Sequence, residues 1–179
     1  SAASDVYKRQ LHLFHVSQAD LNWENPNVRR ELYDVVNFWI EKGVKGFRFD
    51  VINLISKPAI YEDDLEGDGH RFYTDGARIH EFLHELNRET FGPHEDIITV
   101  GEMASSDLPN SIRYSRREEQ ELSMIFDFHH LKIDYPSGNK WEVQPFRFHD
   151  LKKNLFEWQE GMEQGGGWNA LFWDNHDQP

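Results

Sequence analysis

V-K-G-F-R-F-D, Val44 to Asp50, reads as a β-strand that carries a cation and a carboxylate on one side. Side chains alternate along a strand, so Gly46, Arg48 and Asp50 share one face while Phe47 and Phe49 share the other. A helical pattern runs directly into it, which predicts a strand buried on both faces within a parallel sheet. Such a strand is expected to be almost wholly apolar. Arg48 and Asp50 therefore carry a desolvation cost of several kcal/mol per ion unless they are paired or used in chemistry. A structural ion pair at a strand end meets that condition, and so does an active site.

Upstream, Asn25 and Pro26 make a helix start, since Asn caps free N–H groups and Pro suits the first helical position. Val28, Leu32, Val35, Val36, Trp39 and Ile40 follow at helical spacing, and Gly43 ends the stripe. Downstream, Val51 to Ser56 leads out of the strand and Glu62 to Gly69 is an acidic turn. Asp64, Glu66, Asp68, Gly69 and Asp75 fall near the spacing of a calcium-binding loop. The pattern has Glu at its third position, Asp at its twelfth and no partner hand, so it reads as a solvated acidic loop.

The alternation continues along the chain. Ile79, Phe82, Leu83 and Leu86 predict a helix over about 76–91, and Asp96 to Glu102, D-I-I-T-V-G-E, a second strand that closes on a carboxylate. Leu122 to Phe128 predicts a third strand, followed by H-H-L-K at His129 to Lys132. Phe148, Leu151, Leu155, Trp158 and Met162 predict a further helix. After the break at Gly165 to Gly167, Trp168 to Trp173 predicts a last strand that enters D-N-H-D at Asp174 to Asp177. The fold class is α/β, built from parallel βαβ units.

With 179 residues, 38% hydrophobic and 14% aromatic, the chain can fill one sizeable core. A net charge of −13 argues against nucleic acid or an anionic membrane as partner. Zero cysteines suit a reducing, cytoplasmic compartment. No apolar run reaches the roughly 20 residues of a membrane span.

Parallel α/β folds place their sites at the C-terminal ends of strands, where Asp50, Glu102 and Asp177 would meet. Converging acids can bind a hard metal ion or cleave a glycosidic bond. Phe14, Trp23, Phe72, Tyr73, Phe128 and Trp173 would suit sugar faces, or simply a core. Spacing alone leaves metal and sugar both open.

Q-A-D-L-N-W at Gln18 to Trp23, G-F-R-F-D at Gly46 to Asp50, V-G-E at Val100 to Glu102 and N-H-D at Asn175 to Asp177 resemble, in order, four sequence blocks of the α-amylase family of glycoside hydrolases. The resemblance implies a (β/α)8 TIM barrel in which Asp50 is the nucleophile, Glu102 the general acid/base and Asp177 a carboxylate that binds sugar hydroxyls in the transition state. It also implies that Arg48 pairs with the charged Asp50 and that His176 hydrogen-bonds the sugar, with no metal or other cofactor required.

F-D-V-I-N-L-I-S-K at Phe49 to Lys57 is similar to the oligo-1,6-glucosidase branch. Glu66 to Gly76, Phe128 to Pro136 and Gly167 to Trp173 resemble the branch that cuts trehalose 6-phosphate into glucose and glucose 6-phosphate. The implied partner is a small phosphorylated disaccharide or oligosaccharide, with Phe128 and Lys132 among the residues that bind it. An isomalto-oligosaccharide is the alternative substrate, and a non-catalytic transport-associated relative is the alternative of another class. Such relatives typically lose the acids that this chain keeps.

The family's block at strand three has no counterpart here, and a complete barrel needs about 250 residues. The chain is therefore expected to be a fragment that holds about strands 4 to 7 and the end of the inserted domain after strand 3. Residues 11–179 are expected to belong to the catalytic domain and residues 1–10 to be a non-matching tail. On its own such a piece is expected to be inactive and to associate through unpaired sheet edges.

Overall fold

In the computed structural model, which describes residues 10–133, 142 and 144–176, Asn25 closes the first turn of helix α1 (Pro26–Glu41). Its side chain accepts the Asn27 N–H at 3.0 Å, and Pro26 opens the helix. Gly43, at φ 90°, then turns the chain toward strand β1 (Gly46–Phe49). Helix α2 (Ile79–Glu89) and strand β2 (Ile98–Glu102) follow. Helix α3 (Leu108–Ser115), strand β3 (Met124–Phe126) and helix α4 (Phe148–Gln164) complete the order.

The strands form one parallel sheet in the order β1-β2-β3. Phe49 pairs with Gly101, and Glu102 with Phe126. Residues level with one another in a parallel ladder share a face, so Arg48, Val100 and Met124 lie on one side, with Gly101 and Ile125 on the other. Helices cover the second side. Ile79, Phe82, Leu83 and Leu86 of α2 are at most 2% exposed, and Ile79, Leu83 and Leu86 pack with Tyr33, Met103, Tyr114, Ile125 and Met162 into the core. The α2 stripe is the one its periodicity marks.

Two expectations are corrected. Val44 to Asp50 is not buried on both faces: Gly46, Arg48 and Asp50 are exposed, and Phe47 and Phe49 are half-buried. Among the described residues β1 is an edge strand, and the helical layer lies on its Phe49 side. Trp168 to Trp173 does not form a strand either. Asn169 makes a single parallel bridge with Ile125, whose N–H reaches the Trp168 carbonyl at 3.1 Å and whose carbonyl accepts the Ala170 N–H at 2.7 Å. The ladder stops there because β3 is short and turns at Asp127 into a 3-10 segment, His129–Lys132.

Helix α3 has no apolar stripe long enough to stand out, but D-L-P-N at Asp107 to Asn110 was a readable start. Asp107 accepts the Asn110 N–H at 2.9 Å, and a proline sits in the first turn. No described helix is long and apolar enough to cross a membrane.

Gly101 shows how tightly the covered face is packed. A Cβ there would stand 2.6 Å from Leu122 Cδ1 and 2.7 Å from Met103 Cε. Overpacking of this kind costs about 1–3 kcal/mol, so Gly101→Ala is expected to lower the urea midpoint accordingly. An unchanged midpoint would mean that β2 shifts freely, with its neighbour Glu102.

Candidate active site

Asp50 follows β1 and Glu102 ends β2, so the ladder brings two carboxylates to adjacent positions at one end of the sheet. They differ in environment. The Asp50 side chain is 73% exposed, whereas that of Glu102 is 7% exposed. Arg48 lies between them: Nη1 donates to Asp50 Oδ1 at 2.5 Å, and Nη2 donates to Glu102 Oε2. One guanidinium and two hydrogen bonds span no more than about 8 Å, which bounds the distance between the bonded oxygens. Arg48 thus pairs with Asp50 and also with Glu102, and it joins the two acids rather than isolating either.

An aromatic wall stands beside this group. The Phe126 ring lies 5.8 Å from Arg48 Cζ, a cation–π contact. Phe126 meets Phe128 at 5.9 Å and Phe172 at 5.2 Å, both edge to face, and Phe128 meets Phe172 at 5.7 Å. Phe128 was expected near the site and lies in this cluster. Phe126 and Phe172 were not singled out, although alternation from Met124 would have placed Phe126 on the Arg48 face.

Val51 follows Asp50 with φ 36° and ψ 43°. A β-branched residue in the left-handed region is strained by about 1–3 kcal/mol, and such strain persists only where the surroundings impose it. The residues that follow, Ile52, Asn53 and Leu54, are all buried.

The remaining expected residues are more scattered. Lys132 is exposed at the end of the 3-10 segment after β3. Its neighbours Leu131 and Ile133 line a cavity of about 310 Å³ together with Arg147 and Trp173, and Lys132 itself is not in that wall. His176 is exposed at the end of the described stretch, and Asp177 lies outside the described residues. Trp23 belongs to the core, 5.9 Å from Phe82, while Phe14 and Trp173 are 58% and 69% exposed. Phe72 and Tyr73 line a cavity of about 150 Å³ with Leu11 and Leu13. Asp20 of the Q-A-D-L-N-W block pairs with Lys57 at 3.0 Å and accepts the Leu13 N–H at 2.8 Å, which is a structural use.

The acidic turn is organised by its own bonds. Asp64 accepts the Glu66 and Gly69 N–H groups and pairs with Arg71, and these bonds, the Glu66 one foremost, hold its carboxyl below the usual range. Among the described residues no group of three or more His, Asp or Glu side chains is placed to hold a metal ion.

One strand-end acid was overlooked. Asp127 follows β3 and is 6% exposed; burial raises its carboxyl, against the pull of the His129 N–H that Oδ1 accepts at 2.9 Å. By alternation it lies on the Ile125 side, away from Arg48. His129 reaches the Ser106 carbonyl at 2.8 Å and stacks on Trp158 at 4.1 Å, so this cluster ties the end of β3 to α4.

Comparison with known proteins fits this geometry. The family model described as alpha amylase, catalytic domain, matches residues 3–179. The chain is 60% identical over 169 residues to trehalose-6-phosphate hydrolase of Bacillus subtilis (strain 168), across 94% of this chain and 30% of the relative. It is 47% identical over 175 residues to oligo-1,6-glucosidase of Parageobacillus thermoglucosidasius, across 94% and 31%. The crystal structure of Bacillus licheniformis trehalose-6-phosphate hydrolase superposes with a TM-score of 0.90 at 60% identity, over 94% of this chain and 30% of that one. The chain thus spans about 30% of the length of these relatives. A parallel sheet with two acids bridged at its C-terminal end, and a family match over nearly every residue, lead to one assignment: the chain belongs to the alpha-amylase family.

Proposed function

We propose that this chain is part of the catalytic barrel of a retaining α-glucoside hydrolase that cleaves trehalose 6-phosphate to glucose and glucose 6-phosphate. In that reading β1, β2 and β3 are strands four, five and six of a (β/α)8 barrel, and Trp168 to Asp177 leads through the seventh. The observation that carries the chemistry is the Arg48 bridge, which keeps Asp50 and Glu102 within reach of one glycosidic bond. A retaining pair stands about 5–5.5 Å apart, and an inverting pair at up to roughly 9.5 Å. The bridge is compatible with the first and with the lower end of the second, which begins at about 6.5 Å; resemblance to the family supports the retaining reading.

The exposed Asp50 attacks the anomeric carbon as the bond to the leaving oxygen breaks, forming a glycosyl ester. The enclosed Glu102 gives its proton to that oxygen. It then takes a proton from water, which attacks the same carbon and releases Asp50. Phe126 and Phe128 offer apolar rims to a sugar face, and Asp177 and His176 contact its hydroxyls. A cytoplasmic location is part of the same proposal.

Identity to the trehalose-6-phosphate hydrolases supports the substrate, and the oligo-1,6-glucosidase at 47% supports isomalto-oligosaccharides as the second reading. A hydrolysis assay on the intact protein that carries this segment separates them. Preference for trehalose 6-phosphate over isomaltose is the expected result, and the reverse preference overturns the substrate assignment.

Lys132 gives a narrower test. A phosphomonoester carries close to two negative charges at neutral pH, and this chain, of net charge −13, repels it unless a local cation compensates. Lys132, on the loop after β3, is such a cation. Lys132→Ala is expected to raise KM for trehalose 6-phosphate roughly tenfold, the loss of one charged hydrogen bond worth about 1.5 kcal/mol. Turnover of an unphosphorylated glucoside should hardly change. Equal losses on both substrates would make Lys132 structural.

A further inference from the structure

The loops that follow β1 and β2 are joined by one side chain. Asn53 lies three residues past Asp50 and is fully buried. Its Oδ1 accepts the Ala104 N–H at 2.9 Å, and its Nδ2 donates to the Ala104 carbonyl at 3.0 Å. Ala104 lies two residues past Glu102. A side-chain amide that takes both backbone groups of one residue acts as a further rung of the ladder. The β1–β2 pairing, whose last registered partners are Phe49 and Gly101, is thereby carried beyond the two carboxylates.

The rung is itself held. The second Asn53 amide proton goes to Asp75 Oδ1 at 2.9 Å, and the Asp75 N–H returns to the Asn53 carbonyl at 3.1 Å. Tyr114 of α3 donates its hydroxyl to the same Asp75 oxygen at 2.6 Å. Burial, then the Asp75 charge, pushes the Tyr114 hydroxyl far above its ordinary range, so it stays a donor. Asp75 occupies the left-handed region at φ 49°, which Asp tolerates better than most residues. Two segments distant in sequence, at Asp75 and Ala104, thus meet on one buried amide, and Tyr114 holds the first of them.

We propose that Asn53, fixed by Asp75 and Tyr114, is a positioning residue that sets the separation of the Asp50 and Glu102 carboxylates, an inference that rests on reading those two as the reacting pair. Asp50 is exposed at an edge strand and is followed by the strained Val51. Without the rung the backbone past Phe49 relaxes, and Asp50 moves against a Glu102 that the core holds still. Misplacement by about 1 Å can lower a rate by about 10²-fold with little effect on binding.

The test uses the intact protein. Asn53→Ala is expected to lower kcat roughly 10- to 100-fold per folded molecule, with KM within about threefold of the parent. Asn53→Asp keeps the acceptor for Ala104 but, as a carboxylate, faces Asp75 with no proton to give. Protonated, it donates again, so its kcat relative to the parent should rise as the pH is lowered. A residue that merely stabilises the fold would lower thermal stability and leave both kcat and that pH trend unchanged. Asp50→Asn is assayed alongside. If Asp50→Asn keeps turnover, the reading of the pair fails and takes the proposal with it. If Asp50→Asn is inactive while folded Asn53→Ala keeps parental kcat, only the positioning role is overturned. Should Asn53→Ala not fold, Tyr114→Phe removes one hydroxyl without changing the packing. A several-fold loss of kcat at constant KM then supports the role, and parental kcat overturns it.

Discussion

Asp50→Asn is expected to abolish turnover in the intact protein, lowering kcat by on the order of 10⁴-fold, while sugar affinity stays within a few-fold of the parent. The substitution is almost isosteric. Its amide oxygen can still accept from Arg48 Nη1, and the side chain is 73% exposed, so removing the charge leaves no buried cavity and little desolvation to recover. What disappears is the nucleophile. Stopped turnover with retained binding, measured by calorimetry with the intact disaccharide, is the signature of a group that acts in the transition state rather than in the ground state. Undiminished turnover would remove Asp50 as nucleophile. A parallel loss of turnover and affinity would assign it to substrate binding instead.

Arg48 and Asp50 stood out because charge in an aromatic strand contradicts the solvation rule for a core. Both prove to be exposed on the open face of what is, among the described residues, an edge strand, so the premise failed while the residues it marked are the ones that meet Glu102. The anomaly does not say which other residue completes the group. That came from a second strand ending in a carboxylate, Glu102, and from the parallel ladder, which makes equivalent strand ends neighbours. Helices α1 and α2 were readable through Asn25 and Pro26 and through the Ile79 to Leu86 stripe, since both signals are local.

Less local features were lost. Nothing within V-I-N-L distinguishes Asn53 from an ordinary loop residue: its role depends on Asp75, Ala104 and Tyr114, which fold topology alone brings together. Trp168 to Trp173 has strand composition, yet it makes only the isolated bridge at Asn169 with Ile125, because strand length is set by the neighbour as much as by the segment itself. Asp127 was passed over because a third apolar run hid an acid whose side faces the helices.

Glu102→Gln carries the second large effect, and its size depends on the leaving group. A general acid contributes typically 10²–10⁴-fold, so kcat on trehalose 6-phosphate is expected to fall by roughly 10³-fold. The Gln oxygen can still accept from Arg48, and the residue it replaces is only 5% exposed, so the site keeps its packing. An α-glucoside with a nitrophenolate or fluoride leaving group needs no proton for bond cleavage, and its first step should slow by less than about tenfold. The second step still lacks its base, so the glycosyl ester on Asp50 accumulates and appears as a burst of released leaving group. Added azide, which attacks without deprotonation, should restore turnover and give a glucosyl azide of retained configuration. Equal losses on activated and unactivated substrates, with no burst and no azide rescue, would show that Glu102 holds Arg48 in place and that the proton comes from another group.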